Sequence, residues 1–171
     1  MTKIHRLITS LVIAGCCMAY TGIAYAAQHL GTFGAWESFT EREGKNLMCY
    51  MASQATKSRG NYKKRDQTYI MVTHRPAEKS INVISVEAGY TYKTGSEVDL
   101  IIGSQTFKLF TSGGTAFAYD SKSDAAIVKA MIRGASMTIK GISSRGTQTT
   151  DTYSLKGFSA SHKAIGAACT V

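Results

Sequence analysis

Five cations fall within nine residues of this chain, Lys57, Arg59, Lys63, Lys64 and Arg65, arranged around Gly60-Asn61. Such a cluster contacts an anionic surface, or it is a solvated, charged strand edge that keeps molecules from pairing; both readings stay open. Tyr62 and Tyr69 add rings that stack on bases or sugars, although tyrosine is equally common in strands. Arg145 is the second feature, within Ser143-Ser144-Arg145-Gly146-Thr147. Its guanidinium fork and the neighbouring amides suit a carboxylate or phosphate. The alternative is a tight turn at Gly146, with Arg145 paired to an acid such as Asp151. The candidate anion-binding set is therefore Lys57, Arg59, Lys63, Lys64, Arg65 and Arg145.

Catalytic groupings are missing from the sequence. After the N-terminal segment the histidines are His29, His74 and His162, none at His-x-x-x-His or His-Glu-x-x-His spacing, so no metal site is expected. His29 is expected to be disordered, His74 structural at a strand end before Pro76, and His162 exposed on a final helix. Gly141-Ile142-Ser143-Ser144-Arg145-Gly146 has its second glycine one residue too late for a nucleophile elbow. The acid pairs Glu41/Glu43, Glu97/Asp99 and Asp120/Asp124 are local, and no glycine-rich phosphate loop occurs. The expectation is a protein that is not an enzyme and carries no cofactor.

The first residues carry an address. Lys3 and Arg6 precede an apolar run from Leu7 to Met18, and Ala24-Tyr25-Ala26 offers a signal-peptidase site. Residues 1–26 read as an export signal and 27–171 as one domain. Ile13-Ala14-Gly15-Cys16 also resembles a lipobox, in which Cys16 is acylated and tethers the protein to the cell envelope. Both routes mean export, to the periplasm or the medium. The apolar stretch from Leu11 to Tyr20 is shorter than the roughly 20 residues of a membrane span. Cleavage after Ala26 leaves Cys49 and Cys169 as the remaining thiols, and an exported pair oxidises: one disulfide is predicted.

Loss of Lys3 and Arg6 lowers the formal charge from +9 to +7. That favours an anionic partner, an envelope or host-surface component, and gives no sign of specific nucleic-acid recognition. Oligomeric state is not written in the pattern.

The elements that hold these groups are mostly strands, because apolar residues alternate with period two and are interrupted by glycine, serine and asparagine. Strands are predicted at Phe33 to Thr40, Leu47 to Gln54, Tyr69 to Arg75, Ile81 to Glu87, Val98 to Ile102, around Phe107 and Leu109, at Met137 and Ile139, and at Thr147 to Leu155. The basic cluster falls in a loop between two of them. Ser121 to Gly134 reads as a helix capped by its serines, and a final helix follows Ser159 or Ser161. The fold class is all-β, a sandwich or partly closed barrel with two short accessory helices.

Several stretches resemble the invasion-associated locus B family of exported bacterial proteins: F-G-A-W from Phe33, M-C-Y-M-A-S-Q from Met48, V-T-H-R-P-A-E-K-S from Val72, A-G-Y-T-Y-K-T-G-S-E-V from Ala88, F-K-L-F-T-S-G from Phe107, and S-S-R-G-T-Q-T-T-D-T-Y-S-L-K-G-F-S-A from Ser143. The likeness runs through the whole domain. It implies a β-rich exported protein linked to association with host cells, and no catalytic residues. Some relatives carry a further cysteine soon after the tryptophan and a proline after Ala-Ser-Gln; here Glu37-Ser38-Phe39-Thr40 and Ala55-Thr56-Lys57 stand instead. Two function classes follow, a non-enzymatic binder of an envelope or host-surface component, and an envelope-maintenance or small-ligand protein with Trp36, Tyr90 and Tyr92 lining a pocket.

Overall fold

The structure, a computed structural model, describes residues 26–171. Residues 1–25, which hold Cys16 and nearly all of the expected export signal, lie outside the described residues. Eleven strands form one antiparallel sheet in the order β1-β2-β3-β5-β6-β9-β8-β7-β10-β11-β4. They are β1 (Gln28–Phe33), β2 (Trp36–Glu43), β3 (Asn46–Gln54), β4 (Lys57–Gly60), β5 (Tyr69–Arg75), β6 (Ser80–Glu87), β7 (Glu97–Ile102), β8 (Gln105–Ser112), β9 (Thr115–Ala118), β10 (Ser136–Ile142) and β11 (Gln148–Ser154). Two helices, α1 (Ser121–Arg133) and α2 (Phe158–Cys169), complete the all-β fold.

The sheet curls without closing, and Ala55-Thr56 is where it does so. β3 pairs with β5, but Thr56 donates its N–H and its hydroxyl to the Thr152 carbonyl, and the chain continues as β4 along β11. The expected loop is thus partly a short edge strand. Lys57 stands opposite Thr152 and Arg59 opposite Thr150, where paired backbone groups and charged side chains blunt the edge.

Period-two alternation decides what lies inside. Cys49 and Met51 in β3, Ile70 and Val72 in β5, Ile84 and Val86 in β6, Val98 and Leu100 in β7, and Met137 and Ile139 in β10 form the core, with Trp36 fully buried edge-on to Phe158. The β7–β8 hairpin turns at Gly103-Ser104 as the pattern requires. Three strands escape the periodicity argument: β1, β4 and β9 are short or lack apolar alternation, and only their neighbours make them strands.

α1 buries Ile127, Ala130 and Met131 and packs mainly against β6, with smaller contacts to β9 and α2. Its cap is Asp120, whose carboxylate accepts the Ser123 N–H at 2.7 Å, not the serines expected for it. The carboxylate also sits at the positive end of the helix and is held below the usual aspartate value by these amide bonds. α2 starts one residue before the first of the serines expected to cap it: its N-cap is Gly157, which has no side chain, Ser159 lies within the first turn, and Ser161 is turned into the interior, 2.6 Å from the Ser38 hydroxyl. Gly157 itself is at φ +91°, and a Cβ there would stand 1.8 Å from the Phe33 carbonyl oxygen. No other residue type allows β1 and the head of α2 to meet so closely.

Cys49 and Cys169 form a disulfide, with Cα atoms 6.0 Å apart. It fastens the last residue of α2 onto β3 across 120 residues of sequence. Among the described residues, no helix is long and apolar enough to cross a membrane.

Candidate functional site

β10 and β11 run side by side and are joined by Ser143 to Thr147. Alternation along β11 points Thr149, Asp151 and Tyr153 inward, so a carboxylate ends up 2 % exposed. A buried carboxylate is costly unless a cation and hydrogen bonds meet it. Arg65 supplies both, donating from Nη1 and Nη2 to the two Asp151 oxygens at 2.7 Å each and from Nε to the Ala88 carbonyl at 2.6 Å. Burial opposes the guanidinium charge, yet the bonds to Asp151 and its charge outweigh this and keep the Arg65 pKa above the ordinary arginine value.

The segment 61–67 is thereby pinned across one end of the curled sheet. It lies against Gly89, at φ +69°, where a Cβ would come within 2.2 Å of the Asp66 carbonyl oxygen. Beneath it is a small polar network. The Tyr90 hydroxyl meets Thr149 Oγ1 at 2.6 Å, Tyr153 donates to Thr68 Oγ1 at 2.7 Å, and Thr68 donates to the Glu87 carbonyl at 2.6 Å. Burial pushes the phenols of Tyr90, Tyr92 and Tyr153 up, so all three are neutral at physiological pH, and Tyr90 and Tyr153 act as hydrogen-bonding groups.

Above this network the two sequence features meet. A cleft of about 640 Å³ is lined by Tyr62, Lys63, Lys64, Arg65 and one acid, Asp66, from one loop and by Ser144, Arg145 and Thr147 from the other, with Tyr90 and Thr91 between. No ion pair among the described residues uses Lys63, Lys64 or Arg145, and all three are exposed. They are the charges an anion entering the cleft would meet.

The six candidates separate into three groups. Lys63, Lys64 and Arg145 line the cleft with their charges unmet. Lys57 and Arg59 stand outside it, on β4, where Arg59, Thr150 and Lys140 follow one another across β4, β11 and β10. Arg65 has its whole fork on Asp151 and its side chain is 4 % exposed, so it holds the loop instead of presenting charge. Asp151 therefore pairs with Arg65 and not with Arg145. The turn at Arg145 also has fewer amides to offer than expected: Ser144 N–H goes to Thr91 O, Gly146 N–H to Ser143 O, and Thr147 N–H to Ser143 Oγ. Anion binding there falls to the Arg145 side chain. Asp151 itself was legible as an inward position between Thr149 and Tyr153, and a buried acid calls for a cation.

The aromatics expected around a pocket also separate. Trp36 and Tyr92 belong to the core, while Tyr90 lines the cleft. Of the histidines, His74 is the structural residue expected near the end of β5 and is buried, while His162 and His29 differ from expectation. His162 is half-buried, 2.7 Å from Asn82 Oδ1, with its ring edge-on to that of His74, which accepts the Asn82 N–H on Nδ1 at 3.0 Å. His29 is ordered on β1 with its ring 5.1 Å from Phe39. Among the described residues no three His, Cys, Asp or Glu side chains are grouped as a metal site would need.

The family model described as "Invasion associated locus B (IalB) protein" matches residues 36–166. No curated protein and no solved structure matches the chain.

Proposed function

The chain belongs to the invasion associated locus B family, and on that premise we propose that it is an exported, non-enzymatic protein that binds an anionic envelope or host-surface component. The observation that carries this reading is the cleft, in which Lys63, Lys64 and Arg145, from segments some 80 residues apart in sequence, converge without forming an ion pair among the described residues and outnumber the one acid of the lining, Asp66. Exposed like charges brought together on a folded surface repel one another, and an anion relieves that repulsion. Residues 1–26 direct export to the periplasm or the medium, and acylation of Cys16 is the alternative route, tethering the same domain to the cell envelope. The Cys49–Cys169 disulfide suits an oxidising compartment. The reading involves no cofactor, metal or specific nucleic acid.

The test is binding to bacterial envelope fractions and host-cell surfaces at increasing salt, with wild type and the triple variant Lys63→Gln, Lys64→Gln, Arg145→Gln. Wild-type binding should fall steeply with ionic strength and the variant should bind weakly with a flattened dependence. Equal binding by both proteins would remove the cleft from the function.

A further inference from the structure

We infer that the cleft takes an acidic sugar: a saccharide ring lies on Tyr62 while its carboxylate is held by Arg145 with Lys63 and Lys64. This rests on the anion-binding reading and goes beyond it, because charge alone leaves the aromatic part of the cleft without a use.

Three observations point to a sugar. Tyr62 is a large ring left 37 % exposed at the mouth of the cleft, and its position is fixed from two sides. The Arg65 guanidinium lies over it, 5.6 Å from the centroid, and the same guanidinium stacks on Tyr90 at 4.8 Å. Against Gly60 the ring packs so closely that a Cβ there would be 2.8 Å from Cδ1. Arg65 is itself locked by Asp151, so the ring is a prepared platform and not a loose loop side chain. Its exposed surface suits the C–H face of a pyranose, which is apolar on its faces and polar around its rim.

The rim of the cleft meets that second requirement. Thr91 and Ser144 line it beside the three cations, so hydroxyl groups are available for sugar hydroxyls next to charges for the acid. Arg145 brings a planar fork, which matches a carboxylate in two parallel bonds. The volume, about 640 Å³, lies inside the range of roughly 300–1,000 Å³ typical of small-molecule sites and admits a short oligosaccharide. A bilayer surface fits less well, because it is broad and is met by protruding anchors, whereas this site is concave.

The experiment is calorimetric titration of the disulfide-intact protein with three probes: tetragalacturonate, its full methyl ester, and tripolyphosphate. Wild type should bind tetragalacturonate, and esterification, which removes charge and leaves the rings, should weaken it at least about tenfold. Tyr62→Ala should weaken tetragalacturonate by a similar factor and leave tripolyphosphate unchanged, the unchanged phosphate binding showing that the cations of the cleft keep their places. Arg145→Lys should weaken tetragalacturonate while retaining charge. If Tyr62→Ala affects both anions equally or neither, or if tripolyphosphate binds and tetragalacturonate does not, the sugar site is wrong while the anion-binding reading stands. If none of the probes binds, the sugar site is overturned; unchanged surface binding by the triple variant would overturn the broader reading.

Discussion

Arg65 and Asp151 face one another through two parallel hydrogen bonds of 2.7 Å, both side chains almost wholly buried, and this pair decides where the basic loop lies. Asp151 is fixed by β11, while Arg65 belongs to a loop with little apolar content of its own. The loop is therefore held by one ion pair, the Arg65 bond to the Ala88 carbonyl, and its close approach to Gly89, whose carbonyl accepts the Asp66 N–H at 3.2 Å.

Asp151→Asn should destabilise the fold by about 3–5 kcal/mol, because it leaves the Arg65 charge buried without compensation. Chemical unfolding of the two proteins measures this. The double variant Arg65→Met, Asp151→Leu should recover much of the loss, since it removes both charges together. It should nevertheless lose anion binding, because the loop is no longer pinned. A single variant as stable as wild type would show that the pair contributes nothing.

Replacing both Cys49 and Cys169 by serine opens a constraint spanning 120 residues. The chain-entropy model puts the cost at roughly 4–5 kcal/mol. Guanidinium unfolding should show a correspondingly lower midpoint, and reduction of the wild-type protein should reproduce it.

Burial holds the imidazole of His74 below the ordinary histidine value, with the His162 charge adding to the effect, and burial does the same to His162. Each group has a folded-state pKa below its unfolded value of about 6.5, so the unfolded chain takes up protons first as pH falls. Their contribution is complete above about 6.5 and is lost as pH drops below it, through the folded-state values. Stability should decline as pH falls from about 6.5 toward about 5.5, where carboxylates are still largely ionised. His162→Gln should reduce that decline in urea titrations; an identical decline would place its cause elsewhere.

Gly157→Ala should cost about 3 kcal/mol or more, since the new Cβ would collide with the Phe33 carbonyl at 1.8 Å in a backbone conformation that already disfavours side chains. Gly95→Ala is the control, at φ +71° with open space around it, and should cost about 1 kcal/mol. Thermal melts of the two variants distinguish collision from backbone preference. Equal losses would mean that β1 moves aside from α2 freely.

The sequence by itself determined the β class, the inward residues of the long strands, the first helix and its end at Gly134, the family likeness and the pairing of Cys49 with Cys169. These depend on local period, on turn residues, or on Cys49 and Cys169 being the two thiols outside the N-terminal segment, and all are legible without knowing which strand neighbours which. Strands β1, β4 and β9 were not legible, because each is held by its neighbour's hydrogen bonds and is either too short to show a period or lacks its own apolar alternation. His29 and His162 were misplaced for the same reason: their surroundings come from Phe39 and Asn82 on other elements.

Only the tertiary structure decided what the cations do. Six similar charges in the sequence become one buried anchor, two edge residues and three unmet charges around a cleft, with Arg65 taken by an acid 86 positions away. Side-chain alternation is a property of one strand, but the meeting of the 61–67 and 143–147 segments depends on how the sheet curls when the β3–β4 segment crosses to β11. That crossing follows from the pairing of whole strands, and no run of neighbouring residues contains it.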